Sequence, residues 1–210
     1  METENKTPFI LESDPAKQQG RLEAAYSDVM DNNRGVSIPN EVLERYRGVN
    51  NDPAQKLITA VKDYYNNTLK GKKVEVTVNE GIVEVSFEND GMKKAVGWRM
   101  TPEKAATFEY LEKLLENGKY AYSQENTNVG ERRYVPYFHY FVNNANIDGV
   151  DIPIKIFIRE LNLPVGTQKR YYTHIFIENG EGVVPGLRKN TGGDADVGNA
   201  LSIVPKLPPT

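Results

Sequence analysis

Apolar side chains recur at three- and four-residue spacing in four stretches of this chain, and five other stretches read as strands. The first helix is predicted from Lys17 to Met30, with Leu22, Ala25, Tyr26 and Val29 on one side and the Asn-rich segment 31–35 as its stop. A short helix is expected from Pro39 to Arg47. A third opens at Asp52-Pro53, runs along Leu57, Ile58, Val61, Tyr65 and Leu69, and ends at Gly71. Thr101-Pro102 opens a fourth by the same cap-then-proline logic. It buries Phe108, Leu111, Leu114 and Leu115 and stops at Asn117-Gly118.

The strand signals begin with Lys73–Val78 and Ile82–Glu88, which turn Val74, Val76 and Val78 and then Val83, Val85 and Phe87 inward. A three-residue hairpin loop, Asn79-Glu80-Gly81, is expected between them, with a left-handed glycine. Tyr134–Asn144 is aromatic and β-prone, Asp148-Gly149 supplies a hairpin turn, and Asp151–Leu161 alternates cleanly. Ile152, Ile154, Ile156 and Ile158 share one face there; Pro153, Lys155, Phe157 and Arg159 share the other. After a Pro/Gly loop at 162–167, Gln168–Glu178 alternates Arg170, Tyr172, His174 and Phe176 against Tyr171, Thr173, Ile175 and Ile177. The connections are too short for crossovers, so these last strands are expected to form an antiparallel meander.

The class implied is α+β: N-terminal helices and a β-hairpin, then a helix packed on a small antiparallel β-meander. Residues 1–71 are expected to form a helical region with a disordered start up to about residue 17. Residues 72–180 form the α+β domain, and residues 181–210 an extended or disordered tail. The bland reading of residues 1–71 is a cap over the sheet; the sharper one is a docking arm for a protein partner.

Composition narrows this little. There is no cysteine, hence no disulfide, thiolate site or cysteine nucleophile, which fits a cytoplasmic setting. The polar N-terminus lacks the pattern of a signal peptide, and no apolar run is long enough to cross a bilayer, so no membrane partner is expected. The formal net charge of −3 argues against a strongly basic nucleic-acid binder. Charge is unevenly placed, however: residues 119–190 hold nine Lys/Arg against seven Asp/Glu.

The chemistry concentrates near the C-terminus. The chain has two histidines, His139 and His174, both within 134–179, where Lys155, Arg159, Arg170 and Tyr172 also lie. Imidazole passes protons near neutral pH, and neighbouring cations stabilise charge developing on a phosphate. Lys155 and Arg159 are either a solvated outer face or a phosphate-binding strip. Phe157 between them invites base stacking. The face of His139 is open, because Tyr137, His139 and Phe141 are as aromatic as Phe138, Tyr140 and Val142. The chain contains no glycine-rich phosphate loop and no metal-ligand spacing, so neither a metal nor another cofactor is expected.

From about Gly81 the chain resembles the barnase/EndoU/colicin/RelE-like nuclease domains found within large polyvalent proteins of phages and mobile elements. The resemblance rests on TPEKAATFEYLEKLLENG, KYAYSQEN, YFHYF, NIDG, PIKIFIRE and RYYTHIFIE, about half the chain. It implies helices on a curved sheet whose open face is the catalytic cleft, and recurring polar positions at His139, Lys155, Tyr172 and His174. It further implies metal-independent cleavage of RNA in a bacterial cytoplasm or in association with a virion. In that scheme the histidines act as base and acid, and Arg159, Arg170 and Phe157 bind substrate. The rival expectation is a non-catalytic structural or interaction protein of a phage or mobile element on the same scaffold. Two departures are expected: this chain stands alone rather than inside a giant polyprotein, and residues 1 to about 80 have no counterpart in the family.

Overall fold

The computed structural model describes residues 9–48, 53–88, 100–161 and 170–179. The expected N-cap at Asp52, the loop at 162–167 and the tail at 181–210 lie outside the described residues. The elements are α1 (Pro15–Asp31), β1 (Val36–Ile38), α2 (Asn40–Arg47), α3 (Pro53–Tyr64), β2 (Lys73–Val78), β3 (Gly81–Ser86), α4 (Pro102–Glu109) and α5 (Leu111–Glu116). They continue with β4 (Lys119–Glu125), α6 (Val129–Arg132), β5 (Tyr137–Ile147), β6 (Val150–Leu161) and β7 (Arg170–Asn179). Among the described residues the strands form one sheet in the order β1-β5-β6-β7-β3-β2, with β4 also paired to β5. The expected class holds. β5, β6 and β7 make the expected antiparallel meander, but the sheet is mixed: β1 runs parallel to β5, and β3 runs parallel to β7.

Local chemistry explains most boundaries. The Asp14 carboxylate accepts from the Ala16 N–H and starts α1, whose predicted stripe of Leu22, Ala25, Tyr26 and Val29 is buried. Thr101 caps α4 through the Lys104 N–H. The β5–β6 turn places Asp148 at φ 53° and Gly149 at φ 76°, two successive left-handed residues that match strand twist. α3 widens into a π-turn, Tyr65–Leu69, closed by Lys70 N–H on the Tyr65 carbonyl. Gly118 is required for space: a Cβ there would meet the Leu114 carbonyl oxygen at 2.8 Å.

Three expectations need correction. The β2–β3 loop has two residues, because Val78 pairs with Gly81, and Gly81 is an ordinary strand residue without positive φ. The helix after Thr101 breaks at Tyr110 (φ −109°, ψ 12°), which re-aims α5 so that Leu111, Leu114 and Leu115 bury with Phe108. Residues 9–12 are not loose: Ser123 N–H donates to the Ile10 carbonyl and Glu12 N–H to the Ser123 carbonyl, which aligns this segment parallel to β4.

The sheet has two unequal coats. One face carries the main core, where Leu43, Tyr46, Leu57, Val61, Phe108 and Leu114 from the helices meet Val74, Val76, Phe141, Ile154, Ile156 and Ile158. The other is covered at β4 and β5 by α1, through Leu22, Ala25 and Tyr26 against Ala121, Tyr122 and Val142. The Tyr26 hydroxyl donates to Asn144 Oδ1 at 3.0 Å, and burial, followed by the Asp151 charge, pushes its ionisation up to about 12. Glu109 ties α2, α3 and α4 together: it accepts from Tyr46 and Arg45 at 2.8 Å each, and its backbone carbonyl accepts from Tyr64. No helix of the described residues is long and apolar enough to cross a membrane.

Because α2, α3 and its π-turn bury Val42, Leu43, Tyr46, Leu57, Val61, Tyr65 and Leu69 in the main core, a shortened chain beginning at Lys72 is expected to lose cooperative unfolding in urea. A sharp, reversible transition in that chain would mean that α2 and α3 are accessory to the sheet.

Candidate functional site

Ten consecutive residue pairs join β5 to β6, and their register decides which candidates meet. Phe138 pairs with Arg159, Tyr140 with Phe157 and Val142 with Lys155, whereas His139 pairs with Ile158. Side chains alternate along a strand, so Lys155, Phe157 and Arg159 share the face that α1 partly covers, as their spacing predicted. His139 belongs to the opposite, core-facing side. On β7, Tyr172 pairs with Arg159, His174 with Phe157 and Arg170 with Leu161, while Thr173 pairs with Ile158. His174 therefore occupies a register row of opposite parity to that of His139. Six of the candidate positions, Lys155 (opposite Glu178), Phe157, Arg159, Arg170, Tyr172 and His174, fall in rows of one face; His139 stands apart from them.

The shared face carries a cluster of half-buried rings. Phe157 meets Phe138 edge-on at 5.7 Å and Tyr140 at 5.7 Å, and Tyr140 stacks on Tyr122 at 4.5 Å. Phe157 is thus packed among aromatics rather than projecting alone. Arg159 is 8% exposed, and its guanidinium lies 5.6 Å from the Phe138 ring. One nitrogen, Nη2, donates to Glu131 Oε2 at 3.2 Å, while its Nε has no hydrogen-bond partner among the described residues. A buried guanidinium edge without a partner is costly unless something else meets it.

His139 has a different environment, only 1% exposed. Its Nδ1 is 2.6 Å from Ser123 Oγ, and its Nε2 is 3.2 Å from Glu160 Oε2. Phe9 stacks on the ring at 3.8 Å. Ser123 Oγ also meets the Tyr120 hydroxyl at 2.7 Å. Tyr120 and Ser123 are three apart, and strict alternation would separate them. The bulge at Ala121 restores them to one face, because Tyr120 pairs with Phe141 and Ser123 with His139. Burial raises the ionisation of Tyr120, partly offset by its hydrogen bonds to Ser123 and Ile10.

Residue types alone missed Ser123, Tyr120, Glu131 and Glu160. One signal was available: the inward isoleucine parity of β6, continued by one step, lands on Glu160, and an acid at a core position demands a partner.

The family model for large polyvalent protein-associated domain 3 matches residues 54–172, more than half of the chain. The chain belongs to the large polyvalent protein-associated domain 3 family. It is thus a domain of the kind carried by the polyvalent proteins of phages and mobile elements. The matched span begins at residue 54, so the family reaches into the part of residues 1 to about 80 that was expected to have no counterpart; it contains His139, Lys155, Phe157, Arg159, Arg170 and Tyr172, and it ends two residues before His174. No curated protein and no solved structure matches. Membership in the domain 3 family therefore names the setting but not a reaction.

His139 joins two strands and the N-terminal segment through buried polar contacts. His139→Ala is expected to lower the unfolding free energy by about 3 kcal/mol or more, since it deprives buried Glu160 and Ser123 of a partner. Urea denaturation checks this; a loss below about 1 kcal/mol would show that the network contributes little.

Proposed function

We propose that this domain binds single-stranded RNA and cleaves it without a metal ion, working from the face of the sheet that carries Lys155, Phe157 and Arg159. The observation that carries the reading is Arg159: a buried guanidinium, fixed by Glu131 and Phe138, whose Nε edge has no partner among the described residues. A phosphate oxygen supplies that partner well. The register rows of Tyr172 and His174 beside Arg159 and Phe157 support it further. In this reading His174 takes the proton of the ribose 2′-hydroxyl and Tyr172 returns one to the leaving 5′-oxygen, leaving a 2′,3′-cyclic phosphate. Lys155, Arg159 and Arg170 hold the charged phosphate, and the rings of Phe157 and Phe138 serve unpaired bases. His139, on the other face, does not touch substrate.

The second reading is a non-catalytic interaction domain that docks a protein partner through residues 1–71. It is favoured by two observations: Glu131 already neutralises Arg159, and His139 is committed to the interior.

Incubation with total RNA in EDTA, followed by sequencing of the cut ends, tests the first. Cleavage is expected, with cyclic phosphate ends, and His174→Ala should reduce its rate by at least ~100-fold. RNA left intact at high protein concentration would contradict cleavage. Retention of RNA that is lost in Arg159→Ala, without cutting, would leave a binding domain.

A further inference from the structure

The core-facing side of the sheet holds an ordered polar chain that RNA binding does not use. With the imidazole proton of His139 on Nε2, directed at Glu160 Oε2 3.2 Å away, Nδ1 is left to accept from the Ser123 hydroxyl at 2.6 Å. Carboxylate, imidazole and hydroxyl in series are the arrangement that activates a serine nucleophile, here with the two ring nitrogens exchanged. An acyl-transfer site also needs donors where an oxyanion will form. Two converge beside Ser123. Its own N–H donates to the Ile10 carbonyl oxygen at 2.8 Å, and the Tyr120 hydroxyl, whose one proton is shared between Ser123 Oγ at 2.7 Å and this oxygen, lies 3.3 Å from it. The peptide carbonyl on those donors belongs to the N-terminal strap, Phe9–Glu12, which lies along β4 as an extended peptide lies along a sheet edge. Phe9 covers the imidazole.

We propose that Ser123, His139 and Glu160 form a latent acyl-transfer site, and that the strap occupies it as an internal substrate mimic. The substrate class follows from the occupant: an extended peptide or ester with an aromatic residue in the place of Phe9 and an aliphatic acyl residue in the place of Ile10. When the strap lifts, Ser123 Oγ attacks the carbonyl carbon and its proton passes to His139 Nδ1. Glu160 steadies the resulting imidazolium, and the oxyanion takes the Ser123 N–H and the Tyr120 hydroxyl. Collapse breaks the bond to the amine or alcohol, which leaves with the proton from Nδ1. The acyl group remains as an ester on Ser123 until water attacks it, giving a proton to the same nitrogen; the bond to Oγ then breaks, Ser123 takes that proton back, and the acyl group leaves as an acid. This site is independent of the RNA-binding face, so either stands if the other fails.

A fluorophosphonate probe tests it on the full chain, since serine attack on phosphorus expels fluoride while His139 takes the hydroxyl proton. Phe9→Ala with Glu12→Pro removes the ring stack and the N–H that binds the Ser123 carbonyl; Phe9→Ala alone serves if the pair does not fold. Hydrogen exchange at the Ser123 amide reports release of the strap. The released variant should label on Ser123 at least ~10-fold faster than the parent, and adding Ser123→Ala should abolish the label. Labelling that does not rise with release, or that falls on another residue, overturns the proposal.

Discussion

The pairing of β5 with β6 is the constraint on which the other features depend. Ten successive pairs leave no freedom of register, and a shift of one residue would exchange the two faces. The isoleucines of β6 resist that shift, since Ile154, Ile156 and Ile158 would leave the core formed with Phe141, Phe108 and Leu114. Burying a large aliphatic side chain contributes roughly 1.5–3 kcal/mol, so three of them outweigh the cost of placing His139 and Glu160 on the same side. The hydrophobic face fixes the strand, and the polar residues take whatever positions remain.

That arrangement sorts the polar residues into two chemically separate groups. On the core side, His139, Glu160, Ser123 and Tyr120 satisfy one another, as buried groups must. The same chain reaches the Ile10 backbone, so the N-terminal segment is held from the interior as well as by the contacts of Glu12 with Gln18 and Arg21. On the other side, Lys155, Phe157 and Arg159 lie among half-buried rings, with Glu131 of α6 reaching over to Arg159. A polyvalent-protein domain built this way carries two distinct sets of polar side chains on the two faces of one sheet.

Much of the scaffold was legible in the sequence, for physical reasons that also mark its limits. The isoleucine alternation assigned both faces of β6, Asp148-Gly149 announced its turn, and Thr101-Pro102 marked a helix start that depends on two adjacent residues. Where structure depends on distant partners, the sequence was silent. β1 is three residues long and exists through its parallel pairing with β5. β4 hides its parity behind the bulge at Ala121. His139 sat between two equally aromatic faces, and its side follows from the β5–β6 register that sets it opposite core-facing Ile158, where Ser123 and Glu160, 16 and 21 residues away, meet it. Arg159 was legible as a cation on the face opposite the isoleucines, but its pairing with Glu131 was not.

Chemical modification of the histidines reads out whether strand register buries His139 within the core. In a His174→Gln chain, His139 is the one imidazole left to react with diethyl pyrocarbonate. Native protein is expected to resist modification and to react only on unfolding in urea. Reaction of native His139 at the rate of a free histidine would contradict the register and the division of the two faces.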